Sequence, residues 1–410
     1  MQTNLSTEFK QTPEGEEAEA ILRKCVHCGF CNATCPTYQL LGDELDGPRG
    51  RIYLIKQVLE GAVVTRSTQL HLDRCLTCRN CETTCPSGVE FGALIDIGRR
   101  VVEQRVERPL AQRSLRWLLK ELLTSRAFGP ALRIGRRLRP LLPHALRRKL
   151  TESSGRRAEA WPTRKHARKI LLLAGCVQPA MMPNINAATV RVLDAAGIQT
   201  LPAGGGCCGA LRLHLADHAG ALGEMRRNID AWWPVISSGQ VESIVINASG
   251  CSATVKEYAH ALRNDAAYAD KAARVSALAR DLCELLPDLA PRLQDRVHPE
   301  AAVPLVFHSP CTLQHGQRLR GIVETHLGSL GFSVRAAAAE SHLCCGSAGT
   351  YSVLQPALAD QLRDRKLANL GATGAEQIVS ANIGCIQHLQ SGTTARVIHW
   401  IEALDEALDR

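Results

Sequence analysis

Two stretches of this 410-residue chain carry four cysteines each at one spacing: CVHCGFCNATCP from Cys25 and CLTCRNCETTCP from Cys75. In each, the first three cysteines recur at every third residue, so a compact loop can turn three thiolates onto one inorganic centre. The fourth cysteine stands four residues further on. A proline follows it, Pro36 or Pro86, which has no backbone N–H to donate and fixes the local turn. Zinc competes with an iron–sulfur cluster for such thiols, but zinc knuckles use two cysteines apiece, whereas each loop here offers three plus one.

The run C-x2-C-x2-C-x3-C-P carries a specific ligation rule, in which the fourth cysteine serves the other cluster. The rule assigns Cys25, Cys28, Cys31 and Cys85 to one [4Fe–4S] cluster, and Cys75, Cys78, Cys81 and Cys35 to a second. The segment between the runs reads as helix: Asp46-Gly47-Pro48 is a turn, Ile52, Ile55 and Leu59 share one helical face, and Gly61 closes it. Lys24 and Arg74 each precede a first cysteine, placed either to offset the negative charge of a thiolate cluster or to stay solvated.

The later cysteines also form two matched sets. The first is Cys176 (LLLAGC), Cys207-Cys208 (GGGCCGA) and Cys251 (IVINASGC); the second is Cys311 (LVFHSPC), Cys344-Cys345 (SHLCCGSAGT) and Cys385 (IVSANIGC). Similar order and period indicate a duplicated unit. Each unit alternates β-branched or leucine-rich runs with helices, one of which ends at Gly197 or Gly331, implying a parallel α/β sheet. The single cysteines then fall at C-terminal ends of strands, where open α/β sheets place ligands. Buried structural thiols, a further iron–sulfur centre, a dithiol redox site and zinc are all open readings of these sets. Cys283, without a counterpart, reads as core.

The elements that must position these groups suggest four parts: an α-helical cluster domain (1–100), a basic, partly helical linker (101–168), and two α/β repeats (169–300 and 301–410). The composition, 45% hydrophobic and 22% charged, is that of a globular protein of two or three domains. The polar N-terminus has no secretory h-region, no apolar run approaches membrane-spanning length, and 17 cysteines in a long chain read as reduced thiols, so a cytoplasmic location is expected. Residues 99–169 carry a net +16 in a chain of +9 overall. Within them, Leu115, Leu118, Leu119 and Leu122 lie at helical spacing, and a leucine–arginine stretch breaks at Pro140 and Pro143. A membrane-surface segment, a docking site for an acidic partner, and a helix whose leucines pack on the protein's own core all fit that pattern. Nucleic acid is not expected, since no recognised nucleic-acid motif is present. A G-x-G-x-x-G dinucleotide loop is also lacking.

The quoted cysteine runs, with NIDAWWP, CTLQH and HLCCGSAGTY, closely resemble the family of iron–sulfur subunits of bacterial glycolate oxidase (glycolate dehydrogenase). The resemblance implies an α-helical ferredoxin domain like that of succinate dehydrogenase iron–sulfur subunits. It also implies cysteine-rich CCG repeats like those of heterodisulfide reductase, anaerobic glycerol-3-phosphate dehydrogenase and lactate-utilisation subunits. It further implies FAD-binding partner subunits that oxidise glycolate to glyoxylate, and D-lactate-like 2-hydroxy acids, with this chain passing on the electrons and inactive on glycolate by itself. Peripheral contact with the inner face of the cell membrane fits that role. The alternative is a heterodisulfide reductase-type thiol/disulfide enzyme acting at the CCG cysteines. In such relatives the last cysteine of a unit belongs to a C-x-x-C pair; here Thr254 and His388 take the place of its second cysteine, making His388 a candidate additional ligand beside Cys311, Cys344, Cys345 and Cys385.

Overall fold

The computed structural model describes residues 1–125, 127–138, 161–299, 303–337 and 339–409. Its N-terminal part is helical: α1 (Pro13–Lys24), α2 (Phe30–Ala33), α3 (Pro36–Leu41), α4 (Pro48–Leu59), α5 (Arg66–Asp73), α6 (Asn80–Thr84) and α7 (Phe91–Arg105). α4 starts on Pro48, whose missing N–H and fixed φ suit a first helical position. It buries Ile52, Ile55, Val58 and Leu59, as the sequence periodicity requires, and Gly61 follows at φ 96°. α7 crosses it so closely that a Cβ on Gly98 would lie 2.6 Å from the Ile55 side chain.

Both cysteine loops share one unusual backbone. His27 and Gly29 flank Cys28 at φ 56° and 83°; Thr77 and Arg79 flank Cys78 at φ 51° and 57°. Three of these four are not glycine, so the loops hold strained left-handed residues on either side of the second cysteine. That conformation winds successive thiols to one side.

The two repeats follow. β1 (Arg168–Leu173), β2 (Ile198–Pro202), β3 (Ser243–Ile246) and β4 (Ala279–Asp281) form a parallel sheet in the order β2-β1-β3-β4. β5 (Leu305–His308), β6 (Val334–Arg335), β7 (Gln377–Ser380) and β8 (Arg396–His399) repeat it as β6-β5-β7-β8. Strands β3, β5 and β7 are buried at every residue, as expected where helices cover both faces. Gly197 and Gly331 end their helices at φ 79° and 92°. One apolar core runs through both repeats. The helix at 183–195 packs on that at 400–406, Arg191 pairs with Asp405 at 2.7 Å, and Cys283 is buried inside.

Between the two parts, α8 (Leu110–Thr124) and α9 (Phe128–Arg137) form the described part of the linker. α8 turns its polar side inward. Arg116 meets Asp73 at 3.0 Å, Lys120 meets Asp217 at 3.1 Å, and Glu121 meets Arg212 at 3.1 Å. Leu110, Trp117 and Leu118 face outward, 76%, 60% and 49% exposed, and Leu115 is exposed too. The leucine stripe is thus split: Leu115 and Leu118 lie outside, Leu119 and Leu122 are half-buried, and three ion pairs share the inner face. Pro140 and Pro143 lie outside the described residues.

Candidate metal centres

Cys25, Cys28, Cys31 and Cys85 line one cavity. Cys35, Cys75, Cys78 and Cys81 line a second. The second therefore combines three thiols of its own loop with Cys35 of the other, and the first combines three thiols of its own loop with Cys85 and Cys81 of the other, donor sets that suit thiolate-ligated clusters. Pro48, Cys81 and Phe91 line both, so the two cavities share a wall. Burial pushes the Cys31 thiol up to about 11 and the Cys25 thiol upward; burial and adjacent thiols hold Cys78 and Cys81 well above the ordinary range. Ligation must therefore displace protons from these sulfurs.

Buried cations stand close by. Arg51 donates to the His71 carbonyl at 2.8 Å and to Thr37 Oγ1 at 3.1 Å, and it faces the buried Asp46 carboxylate at 3.4 Å. Thr37 Oγ1 in turn lies 3.3 Å from Cys35 Sγ. Arg99 donates to the Leu72 carbonyl at 2.9 Å and the Cys75 carbonyl at 2.6 Å, bracing the second loop. Lys24 is engaged by Glu90 at 2.8 Å and Arg74 by Asp46 at 2.7 Å. Arg51 and Arg99 are missed by a reading that looks for cations beside the motifs, because tertiary packing brings them in from helices α4 and α7. Asp43, Asp46 and His71 are close enough to share an ion, but Arg51 and Arg74 already take the Asp46 carboxylate.

The second cluster loop sits across both repeats. Toward the first, Thr77 Oγ1 lies 3.3 Å from His214 Nδ1, and Arg79 pairs with Glu257. Toward the second, Thr83 Oγ1 lies 2.9 Å from His315 Nδ1, and the Tyr351 hydroxyl donates to the Arg74 carbonyl at 3.2 Å. Burial holds His214 and His315 down to about 4, so both contacts are made by neutral rings. Leu76 and Cys344 share a small apolar cluster, with Cys78 and Cys311 packed against it.

Each repeat gathers its four cysteines into a row. In the first, Cys176, Cys207, Cys208 and Cys251 adjoin one another in that order. In the second, Cys311 Sγ lies 3.8 Å from Cys344 Sγ, Cys344 adjoins Cys345, and Cys345 adjoins Cys385. Cys176 and Cys311 each follow the first strand of their sheet, and Cys251 and Cys385 lie in the helix after the third. Those two strands are neighbours and flank the point where strand order reverses, the expected ligand crevice. The rows share a backbone contact: the Gly209 N–H donates to Cys207 Sγ and the Gly346 N–H to Cys344 Sγ, each at 3.4 Å.

The two positions expected to distinguish the repeats have local partners. Thr254 donates to the Gly250 carbonyl at 3.0 Å. His388 places Nε2 3.0 Å from the Ala359 carbonyl, so that nitrogen is engaged away from the thiols. Another imidazole reaches the row: a ring nitrogen of His308 and the sulfurs of Cys345 and Cys385 lie within 4.8 Å of one another, all three residues buried. The signal for it was present in the repeat. LVFHSPC ends its strand on histidine where LLLAGC has leucine.

These features define a two-cluster iron–sulfur protein with tandem cysteine-rich domains, and family models agree. The 4Fe-4S dicluster domain matches residues 21–89, and the Cysteine-rich domain matches 170–256 and 305–390. The chain is 55% identical to the glycolate oxidase iron–sulfur subunit of Escherichia coli (strain K12), all of both chains being covered. It is 30% identical to the probable glycolate oxidase iron–sulfur subunit of Bacillus subtilis (strain 168), over 98% of this chain and 97% of that one. Lactate utilization protein A of B. subtilis matches at 26% identity over 58% of this chain and 99% of its own length. The chain belongs to the family of glycolate oxidase iron–sulfur subunits.

Proposed function

We propose that this chain is the electron-transfer subunit of a glycolate dehydrogenase complex. In this reading, FAD-binding partner subunits oxidise glycolate to glyoxylate, and D-lactate-like 2-hydroxy acids as well. The chain carries the electrons onward to a membrane or other acceptor and does not turn over glycolate alone. Clusters ligated by Cys25, Cys28, Cys31 and Cys85, and by Cys75, Cys78, Cys81 and Cys35, supply one-electron carriers. The observation that carries the reading is a continuous file: the two cavities share Cys81, and the second abuts Cys311 and Cys344 of the second repeat. Arg51 and Arg99 stand as buried positive charges beside the second cavity. The division at residues 100, 168 and 300 belongs to this reading; the family matches fall inside its parts, while α7 continues to Arg105.

The test is glycolate-dependent dye reduction by the chain alone and with its flavin subunits, alongside iron and acid-labile sulfide. Activity in the isolated chain, or no loss when the cluster cysteines are changed, would sink the proposal. Cys35→Ser is expected to damage the cluster built mainly by the second loop, and Cys85→Ser that of the first.

A second reading has one observation in its favour: Cys207, buried between the thiols of Cys176 and Cys208, accepts from the Gly209 N–H at 3.4 Å, an arrangement that suits thiol/disulfide chemistry of the heterodisulfide reductase type. Disulfide reduction by this chain with an artificial donor, abolished by Cys207→Ser, would support it.

Among the described residues no helix is long and apolar enough to cross a membrane. We infer peripheral contact with an anionic membrane through the outer face of α8. There Leu110, Trp117 and Leu118 supply the apolar contact and exposed Arg113 supplies charge, with exposed Arg133 and Arg137 on the following helix α9. Trp117→Ser with Leu118→Ser should lower co-sedimentation with anionic vesicles, and high salt should reduce but not abolish it. Unchanged sedimentation of the variant would refute the contact.

A further inference from the structure

The last residues of neighbouring strands meet below each thiol row. In the first repeat they are Leu173 and Ile246, cross-strand partners that pack in one apolar cluster with Cys208. In the second they are His308 and Ser380, partners in the same register and both buried. A polar pair thus replaces an aliphatic pair at the floor of the crevice. Buried polar groups need hydrogen-bond partners, which the aliphatic pair of the sister repeat does not.

The hydrogen bonds give the pair a purpose. Ser380 Oγ donates its one proton to the His308 carbonyl at 3.0 Å. The same oxygen lies 3.0 Å from His308 Nδ1, so it accepts there and Nδ1 carries the ring proton. The neutral tautomer so fixed leaves its lone pair on Nε2. This is how the outer partners of metal-binding histidines prepare the ligating nitrogen.

We propose that His308 is a ligand, through Nε2, of an iron–sulfur centre in the second repeat, with Cys311, Cys344, Cys345 and Cys385, and that Ser380 is its positioning residue. The proposal rests on the reading that this repeat holds a metal centre. A ring nitrogen of His308 and the sulfurs of Cys345 and Cys385 lie within 4.8 Å of one another, and Cys311 lies 3.8 Å from Cys344. Five donors exceed the four of a structural zinc site, favouring a polynuclear centre. Its place beside Cys78 makes it the next carrier in the file. Imidazole in place of thiolate lowers the negative charge on the iron, as in histidine-ligated two-iron centres, and raises its potential relative to an all-thiolate centre.

The test uses the full chain purified anaerobically, with iron, zinc and sulfide measured, and pulsed EPR on oxidised and reduced samples from cells grown with ¹⁴N- or ¹⁵N-histidine. The two ferredoxin-type clusters have only sulfur ligands in this reading, so they give no coupling to a directly bound histidine nitrogen and their signals report folding. The expected result is iron beyond the complement of two [4Fe–4S] clusters, with a strong isotope-sensitive nitrogen coupling. That coupling should be lost in His308→Ala and His308→Cys and kept in His388→Ala. Extra iron without the coupling, or coupling kept in His308→Cys, overturns His308 as ligand while leaving the metal reading standing. No extra iron in the wild type, or zinc in its place, overturns the metal reading itself.

Discussion

The two cysteine-rich repeats share strand order, register and a row of four thiols, yet they differ in what lies beneath the row. Leu173 and Ile246 close the first crevice with hydrocarbon; His308 and Ser380 close the second with a hydrogen-bonded polar pair. A third difference lies on the long helix after the cysteine pair. Gly209 and Gly346 pack against the carbonyls of Ala221 and Ala359, which sets the two helices in correspondence and places Asn228 opposite Lys366. Both brace the loop before the cysteines: Asn228 accepts from the Gly206 N–H at 2.9 Å and donates to the Cys207 carbonyl at 2.8 Å, while Lys366 donates to the Glu340 carbonyl at 2.6 Å. Only the second carries charge. Burial lowers the Lys366 pKa, and the thiols of Cys345 and Cys344 work in the opposite direction. A duplicated scaffold can therefore keep its frame while three side chains reset the chemistry at its crevice. The second crevice, with an imidazole and a buried ammonium near its thiols, is the one that the proposal assigns to an anionic metal–thiolate centre.

The comparison can be broken most decisively at the cysteines. Cys345→Ser and Cys385→Ser should remove the iron beyond the ferredoxin complement, while Cys208→Ser and Cys251→Ser should leave it in place; metal analysis of the four variants decides it. The reverse pattern would exchange the roles assigned to the repeats. Converting the second crevice to the first, by His308→Leu with Ser380→Ile, should abolish the extra iron and leave the thermal midpoint of metal-free protein equal or higher. The reason is that well-packed apolar groups often replace buried polar ones without loss. The converse pair, Leu173→His with Ile246→Ser, should lower metal-free stability by about 2–5 kcal/mol in chemical denaturation, through lost packing and polar burial.

Smaller effects sharpen the picture. Ser380→Ala leaves the imidazole but frees its tautomer, and should weaken retention of the extra iron by roughly 10–100-fold against a chelator. Lys366→Met should also weaken it, by less than removal of a ligand, whereas Asn228→Leu should affect stability alone. Equal effects of the last two on iron retention would show that Lys366 acts as a loop brace and not through its charge.

Much of this molecule is written locally. The two four-cysteine runs, the doubled single-Cys, Cys-Cys, single-Cys order, the helix at 48–59 and the strand–helix alternation follow from spacing and periodicity, because ligand loops and amphipathic faces are properties of neighbouring residues. His388 illustrates the limit. Its position three residues after Cys385 singled it out, but one turn along that helix its Nε2 meets the Ala359 carbonyl. The linker illustrates it again. The leucine spacing of α8 was legible, but which face turns inward was decided by Asp73, Asp217 and Arg212, which lie on other elements.

The sequence by itself determined which atoms are available: eight thiols in two cluster loops, eight more in two matched rows, and a histidine at the end of one strand. The tertiary structure decided which of them meet. His308 and Ser380 are 72 residues apart and become partners only through the parallel register of β5 and β7. Arg51 reaches the second cavity from α4, and Arg99 reaches the Cys75 carbonyl from α7, through tertiary packing alone. Local spacing can aim several ligands from one loop, but convergence from separate strands and helices depends on pairing and packing, which are set by burial across the whole chain.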